Sequence, residues 1–184
     1  MIDLRELRDE DEGVLFQWRS EPEVDRWMSD AAFPSADAHA AWFSGLRSDP
    51  DMRGWLITRG GVAAGLLTLT GLLSHHRRAG WNWFLGSAEA RGRGVGRAAQ
   101  VLGLDHAFGE LGLHKVFAEV LADNDAALKA QAASGFRREG YLRGHVLKNG
   151  APRDVVLLGM LADEWRELRE AARRGLVEAH LIAA

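Results

Sequence analysis

The segment Trp81–Arg97, WNWFLGSAEARGRGVGR, constrains this chain more than any other. It begins as an aromatic, apolar run of strand character, crosses a short polar bend, and ends in a glycine cluster ahead of a long stretch with helical periodicity. Gly92, Gly94 and Gly96 alternate with Arg91, Arg93, Val95 and Arg97. Glycine turns without a Cβ penalty and lets backbone N–H groups come close to a ligand. A helix opening there adds unpaired N–H donors and the positive end of its dipole. Strand, glycine turn and helix start together predict a cradle for a phosphate or pyrophosphate. A glycine-rich turn with no ligand is the plain alternative.

Two common phosphate sites fail on particular residues. A P-loop needs Gly-Lys followed by Ser or Thr, and Arg97-Ala98 stands there. A dinucleotide fingerprint needs a glycine three after the middle one, which is Arg97, and it belongs at the first strand–helix turn, not after hairpin strands. What remains is Arg-x-x-Gly-x-Gly, carried by Arg91, Gly94 and Gly96.

Composition narrows the field. At 184 residues the chain is long enough for one domain with one substantial core. A net charge of -3 gives no reason to expect bulk nucleic-acid binding. The basic spots His75–Arg78 and Arg91–Arg93 read as small-anion sites or solvated turns. There is no cysteine, which removes disulfides, thiolate metal sites and cysteine nucleophiles together; no metal is expected. No run approaches the roughly 18 apolar residues of a spanning helix. The start MIDLRELRDEDE has no apolar signal segment, so the expected location is the cytoplasm.

In order, residues 2–8 suggest a strand, and Asp9–Glu12 caps a helix bearing Val14, Leu15 and Trp18. Pro22 starts a short helix with Val24, Trp27 and Met28 inward. After a loop around Pro34, Ser35 or Asp37 caps a helix with His39, Trp42, Phe43 and Leu46. Trp55–Thr58 and Val62–Leu73 flank a turn at Arg59-Gly60-Gly61, and Ala79–Leu85 is the next strand. Residues 96–111 carry Val101, Leu104, Phe108 and Leu111 at helical spacing, and Gly112 ends that helix. Lys115–Leu121 is a strand and Asp123–Ser134 a helix. Phe136–Arg143, Val146–Leu147 and Asp154–Leu161 are strands around an Asn149-Gly150 hairpin signal, and Ala162–Arg174 reads as an exposed helix. The pattern is a mixed-sheet α/β fold.

The glycine loop resembles the acyl-CoA pyrophosphate loop of the GNAT N-acetyltransferase superfamily. The resemblance continues through KVFAEVLADNDAALKAQAASGF (Lys115–Phe136), with Asn124, Ala127 and Gly135-Phe136, and then through Glu139–Arg143, Asn149-Gly150 and Asp154–Val156. The later segments are similar to the branch holding ribosomal-protein N-terminal and sugar-amine acetyltransferases. It implies a GNAT-like, mostly antiparallel central sheet flanked by helices, with a splayed strand pair that admits acyl-CoA. It also implies one domain over residues 1–165 followed by a helical extension over 166–184, with a homodimer possible.

Acetyl-CoA as co-substrate and direct transfer to a primary amine follow from the resemblance. Arg91, Gly92, Arg93, Gly94, Val95, Gly96, Arg97 and Asn124 would hold the coenzyme, and a backbone N–H near Leu85 would meet the thioester carbonyl. Asn124 is also a good helix cap in its own right. Glu119 is the candidate base, on an apolar strand expected to be covered on both faces; bonding to a backbone N–H or an arginine is the alternative. Many superfamily members carry a tyrosine seven residues after the asparagine, to protonate the leaving thiolate. Gln131 stands there, and Tyr141, the chain's single tyrosine, is the substitute candidate or a packing residue.

For the acceptor, Leu15–Met28, His39-x-x-Trp42-Phe43 and Trp81-Asn82-Trp83 are similar to the N-acetyltransferases of pseudaminic acid biosynthesis, which act on the 4-amino group of a UDP-linked amino-deoxy sugar. Seven tryptophans suit stacking on a uracil or sugar ring. Trp18, His39, Trp83, Arg77 and Arg78 are the candidate acceptor contacts; His39 can equally pack its own helix. Peptide N-terminal acetylation is the next reading, and aminoglycosides or polyamines follow, a polyamine wanting a more acidic cleft. A non-catalytic acyl-CoA sensor is the alternative from another class.

Overall fold

The computed structural model describes residues 1–29 and 35–183; the loop expected around Pro34 lies outside the described residues. Seven strands form a single sheet: β1 (Ile2–Glu6), β2 (Met52–Arg59), β3 (Val62–Thr70), β4 (Arg78–Leu85), β5 (Lys115–Leu121), β6 (Arg137–Lys148) and β7 (Ala151–Leu161). Their order across the sheet is β1-β2-β3-β4-β5-β7-β6, antiparallel everywhere except between β4 and β5. The β2–β3 turn uses Gly60 and Gly61 at φ +59° and +80°, the pair of positive values a two-residue hairpin needs.

Helices α1 (Glu12–Ser20), α2 (Pro22–Asp25) and α3 (Ala36–Ser48) cover one face. Ser35, not Asp37, caps α3 through its hydroxyl oxygen. Beneath them a small core joins Leu15, Trp18, Phe43 and Leu46 to Leu56 and Leu66. The other face carries α4 (Val95–Asp105), α5 (Asp125–Ala133) and α6 (Ala162–Glu178) over the larger core of Leu67, Trp81, Val95, Leu104, Val116 and Met160.

Close approach fixes α4. A Cβ on Gly103 would fall 2.6 Å from Leu67 and 2.7 Å from Trp81, and one on Gly96 would fall 2.9 Å from Trp83. These glycines stand two turns apart, on the helix side that faces the sheet. The helix is shorter than the periodicity predicts, because a π-helical turn at His106–Glu110 follows it.

The end of the chain is packed, in contrast to the expected exposed helix. One continuous helix crosses the 165/166 boundary. Trp165 and Leu176 are buried, and Asp105 of α4 accepts hydrogen bonds from Trp165 Nε1 at 3.1 Å, Arg169 at 2.6 Å and Arg173 at 2.7 Å. Ile2 N–H then bonds Leu181 O at 2.6 Å, tying the tail to β1. Among the described residues no helix is long and apolar enough to cross a membrane.

Candidate active site

The site begins where β4 and β5 part. They pair only as Arg78–Lys115, Ala79–Val116 and Gly80–Phe117. From Trp81 onward β4 has no β5 partner, so its backbone groups on that side open onto a gap. A cleft of about 630 Å³ occupies the gap and reaches both faces of the sheet. Its walls include Trp81, Trp83, Leu85, Ala118, Val120, Asn124 and Gln131 toward α4 and α5, and Arg19, Glu23, Trp27, Trp42, Thr68, Asn82 and Glu119 toward α1–α3.

The glycine loop stands at the end of β4. Gly92 and Gly94 adopt φ +71° and +76°, and Gly94 caps α4 in the left-handed region. The first-turn N–H groups of α4, from Val95 onward, have no preceding turn to bond and make a helix-start anion site. Arg91 lines the cleft and bonds the Leu85 carbonyl at 3.2 Å, joining loop to strand end. Arg93 and Arg97 are exposed beside it, and the Val95 side chain is wholly buried. Gly94 has a second duty, because a Cβ there would meet Leu181 at 2.7 Å.

Asn124 both lines the cleft and caps α5, its Oδ1 accepting from Ala127 N–H at 3.1 Å. Gln131, two turns further along, is 3% exposed, and its Oε1 has no hydrogen-bond partner among the described residues. Trp81 Nε1 is likewise buried and without one. Both belong to the cleft wall.

Glu119 departs from expectation in its burial. Register puts Phe117 and Glu119 on the face of Gly80 and Asn82, toward α1–α3. Among the described residues no helix covers it there; its side chain is 42% exposed, with His145 Nε2 3.8 Å from Oε2. A carboxylate in that strand therefore needs no burial partner, because its face is open.

Four expected site residues lie elsewhere. Trp18 is buried under the loop, where a Cβ on Gly86 would sit 2.0 Å from its ring, so it is a core side chain. His39 is fully buried against Phe16 at 5.0 Å and Trp42 at 5.3 Å, with Nδ1 4.0 Å from Glu12. Burial lowers its imidazole pKa, opposed by Glu12 and assisted by Arg19. Arg77, at φ +49°, turns away to bond the Gly112 carbonyl, Nε to O at 3.0 Å. Tyr141 is opposite Val156, which is opposite Val120, so it sits on the other face from Glu119. There it is 47% exposed and its hydroxyl bonds Asp154. Trp83 does line the cleft, though on the α4 face under Gly96, and its neighbours Asn82 and Phe84 are the β4 side chains that face α1–α3.

On the α1–α3 side of the cleft, the Arg19 guanidinium lies 4.9 Å over the Trp42 ring and Arg26 4.8 Å over Trp27. Arg26 also lies 3.3 Å from Glu23. The inward set Val24, Trp27 and Met28 was the signal for this wall in the sequence. His145 had no signal.

Comparison with known proteins agrees with this geometry. Residues 2–137 match the acetyltransferase (GNAT) domain. The spermidine N(1)-acetyltransferase of Escherichia coli strain K12 is 26% identical over 155 residues, 84% of this chain and 83% of that protein. The Bacillus subtilis N-acetyltransferase YoaA is 28% identical over 159 residues, 83% of this chain and 88% of that protein. The structure of Vibrio cholerae spermidine N-acetyltransferase with CoA and spermine superposes with a TM-score of 0.83 at 23% identity, covering 90% of this chain and 98% of that one. A seven-stranded sheet opened between β4 and β5, a glycine loop at the opening and a domain match across most of the sequence have one reading: the chain belongs to the GNAT acetyltransferase family.

Proposed function

We propose that this acetyl-CoA-dependent N-acetyltransferase modifies the primary amine of a small acceptor held between α2, α3 and the β4–β5 gap. The observation that carries this is the position of Glu119 on the α1–α3 face of the gap, in one cleft with Asn124 and with Arg91 at the start of the glycine loop. When bound, acetyl-CoA supplies the activated acetyl group. Arg91, the first-turn N–H groups of α4 and Asn124 are the residues fitted to hold it, and a β4 N–H near Leu85 is fitted to receive the thioester oxygen as charge builds there.

The amine arrives as an ammonium ion, and Glu119 removes a proton, directly or through one water. The freed lone pair forms the N–C bond and the C–S bond breaks. The nitrogen's second proton goes to water or to the departing sulfur. Gln131 cannot supply a proton at neutral pH, so it is not a general acid.

For the acceptor, two of the three relatives reported above are named for spermidine and none for a sugar. A polyamine is therefore the first amine to test, with Glu119 and Glu23 as the carboxylates available to its cationic arms. The UDP-linked amino sugar is the second reading. Favouring it is the acceptor wall itself, where Arg19 and Arg26 stacked on Trp42 and Trp27 offer guanidinium and indole faces suited to a diphosphate and a ring.

The test is thiol release from acetyl-CoA with spermidine, a UDP-4-amino-4,6-dideoxy sugar, a peptide with a free N-terminus and an aminoglycoside. Turnover of spermidine alone supports the first reading, and turnover of the sugar alone replaces it with the second. Thiol release with neither, alongside acetylation of the peptide, overturns both.

A further inference from the structure

β6 contains a bulge that the mechanism proposed above does not use. Leu142 pairs with Val155 and Val146 with Arg153, so Arg143, Gly144 and His145 stand against the single residue Asp154. Leu142 shares the face of Val155, Leu121 and Glu119. Strict alternation from Leu142 would send His145 to the opposite face. The bulge turns it back, and Nε2 comes to 3.8 Å from Glu119 Oε2.

Two observations show how the turn is held. Gly144 adopts φ +57°, in the left-handed region that a side chain disfavours. Asp154 then uses both carboxylate oxygens on the bulge: Oδ1 accepts from Gly144 N–H at 2.6 Å and Oδ2 from the Tyr141 hydroxyl. The tyrosine, the aspartate and the glycine form a clamp whose outcome is the direction of one imidazole.

We propose that His145 is the proton outlet of Glu119, a positioning residue that acts through the carboxylate and does not touch the acceptor. This rests on the reading of Glu119 as base. The ammonium gives its proton to the Glu119 carboxylate. The carboxylic acid passes it to the imidazole through a water bridging the 3.8 Å gap, which is too long for a direct hydrogen bond, and the imidazolium releases it to solvent, which its 43% exposure permits. Glu119 is thereby returned to its anionic form for the next turnover, and the proton count balances at each step.

The experiment compares the full chain with Glu119→Gln, His145→Gln and the double variant, using acetyl-CoA and spermidine, or the UDP-4-amino sugar if that is what the wild type consumes. His145→Gln is expected to lower kcat by about tenfold or more while KM for acetyl-CoA stays within about twofold. Added imidazole should restore most of the loss in His145→Gln and none in Glu119→Gln, a response that a merely structural histidine would not give. The double variant should be no slower than Glu119→Gln alone, because the relay has nothing to carry once the base is gone.

Wild-type kcat in His145→Gln, absence of imidazole rescue, or multiplying losses in the double variant would each overturn the relay and leave Glu119 in place. Wild-type rate in Glu119→Gln would remove the base and the relay together, while thiol release by the wild type would still stand for the transferase reading. Gly144→Val, which cannot easily hold φ +57°, provides a second route: it should copy the His145→Gln loss and its rescue.

Discussion

Lys148 Nζ lies 3.4 Å from Asp25 Oδ1, joining the tip of the β6–β7 hairpin to α2 across 123 positions of sequence. The lysine side chain is only 3% exposed and the aspartate 24%. This pair sets the distance between the helix that carries Glu23 and Val24 and the hairpin that carries His145. Removing the anion leaves a buried ammonium with less compensation, whereas replacing the lysine by an apolar side chain of similar length removes the need for it. Asp25→Ala is therefore expected to cost about 1–2 kcal/mol in urea unfolding and to raise KM for the amine. Lys148→Met should cost less than Asp25→Ala. The reverse order would put the lysine's stabilising contacts somewhere other than Asp25.

Tyr141 tests the distinction between acid and clamp. Its hydroxyl bonds Asp154, which raises the phenol pKa and, with the Gly144 N–H, lowers that of the carboxyl. A phenol made harder to ionise, and absent from the cleft lining, is poorly placed to protonate a thiolate. Tyr141→Phe is expected to reduce kcat by about threefold through a looser bulge, far short of the 10²–10⁴ effect of removing a general acid. A loss of that larger size would return Tyr141 to the chemistry.

Much of the fold could be read from local pattern. The Gly60-Gly61 turn, the apolar period of α4 and the β-branched run of β5 each carry their own physical signal, and the structure follows them. The site was harder to read because direction is not local. Trp18 on α1 and Trp27 in the turn after α2 look alike in sequence, yet one is covered by Gly86 and the other opens on the cleft. Glu119 looked like a buried carboxylate because its strand neighbours are apolar; only the sheet order shows that its face is open. The 143–145 bulge interrupts the alternation from which a face would be inferred, so His145 could not be assigned from sequence at all.

His39 gives a pH dependence whose sign follows from burial. Its folded-state pKa lies below the unfolded value of about 6.5, so the unfolded chain binds the proton more readily. The contribution is fully present above about pH 6.5 and is lost as pH falls through that value toward the folded pKa. His39→Phe keeps an aromatic ring among Phe16, Trp42 and Phe43 without a titrating group. Urea midpoints measured from pH 7.5 to pH 5 should fall for the wild type more steeply than for this variant. Parallel curves would mean that His39 binds its proton as readily in the folded chain as in the unfolded one, contrary to its burial.

Gln131 lines the cleft as a buried polar side chain, and its oxygen has no hydrogen-bond partner among the described residues. A buried amide of that kind carries a desolvation cost unless a ligand satisfies it. Its carboxamide can donate a hydrogen bond to a developing thiolate but cannot give up the proton, so the sulfur would leave solvated and not protonated. Gln131→Leu should then lower the single-turnover rate of thiol release by about tenfold, a fraction of the loss seen when an oxyanion donor is removed, because sulfur is the weaker acceptor. Gln131→Glu should lower it further, since an ionised carboxylate opposes the charge that forms. Acetyl-CoA affinity, measured without acceptor, should change little in the leucine variant. If Gln131→Leu instead releases thiol at the wild-type rate and unfolds at higher urea, the amide is a costly core residue and the thiolate departs without help from this wall.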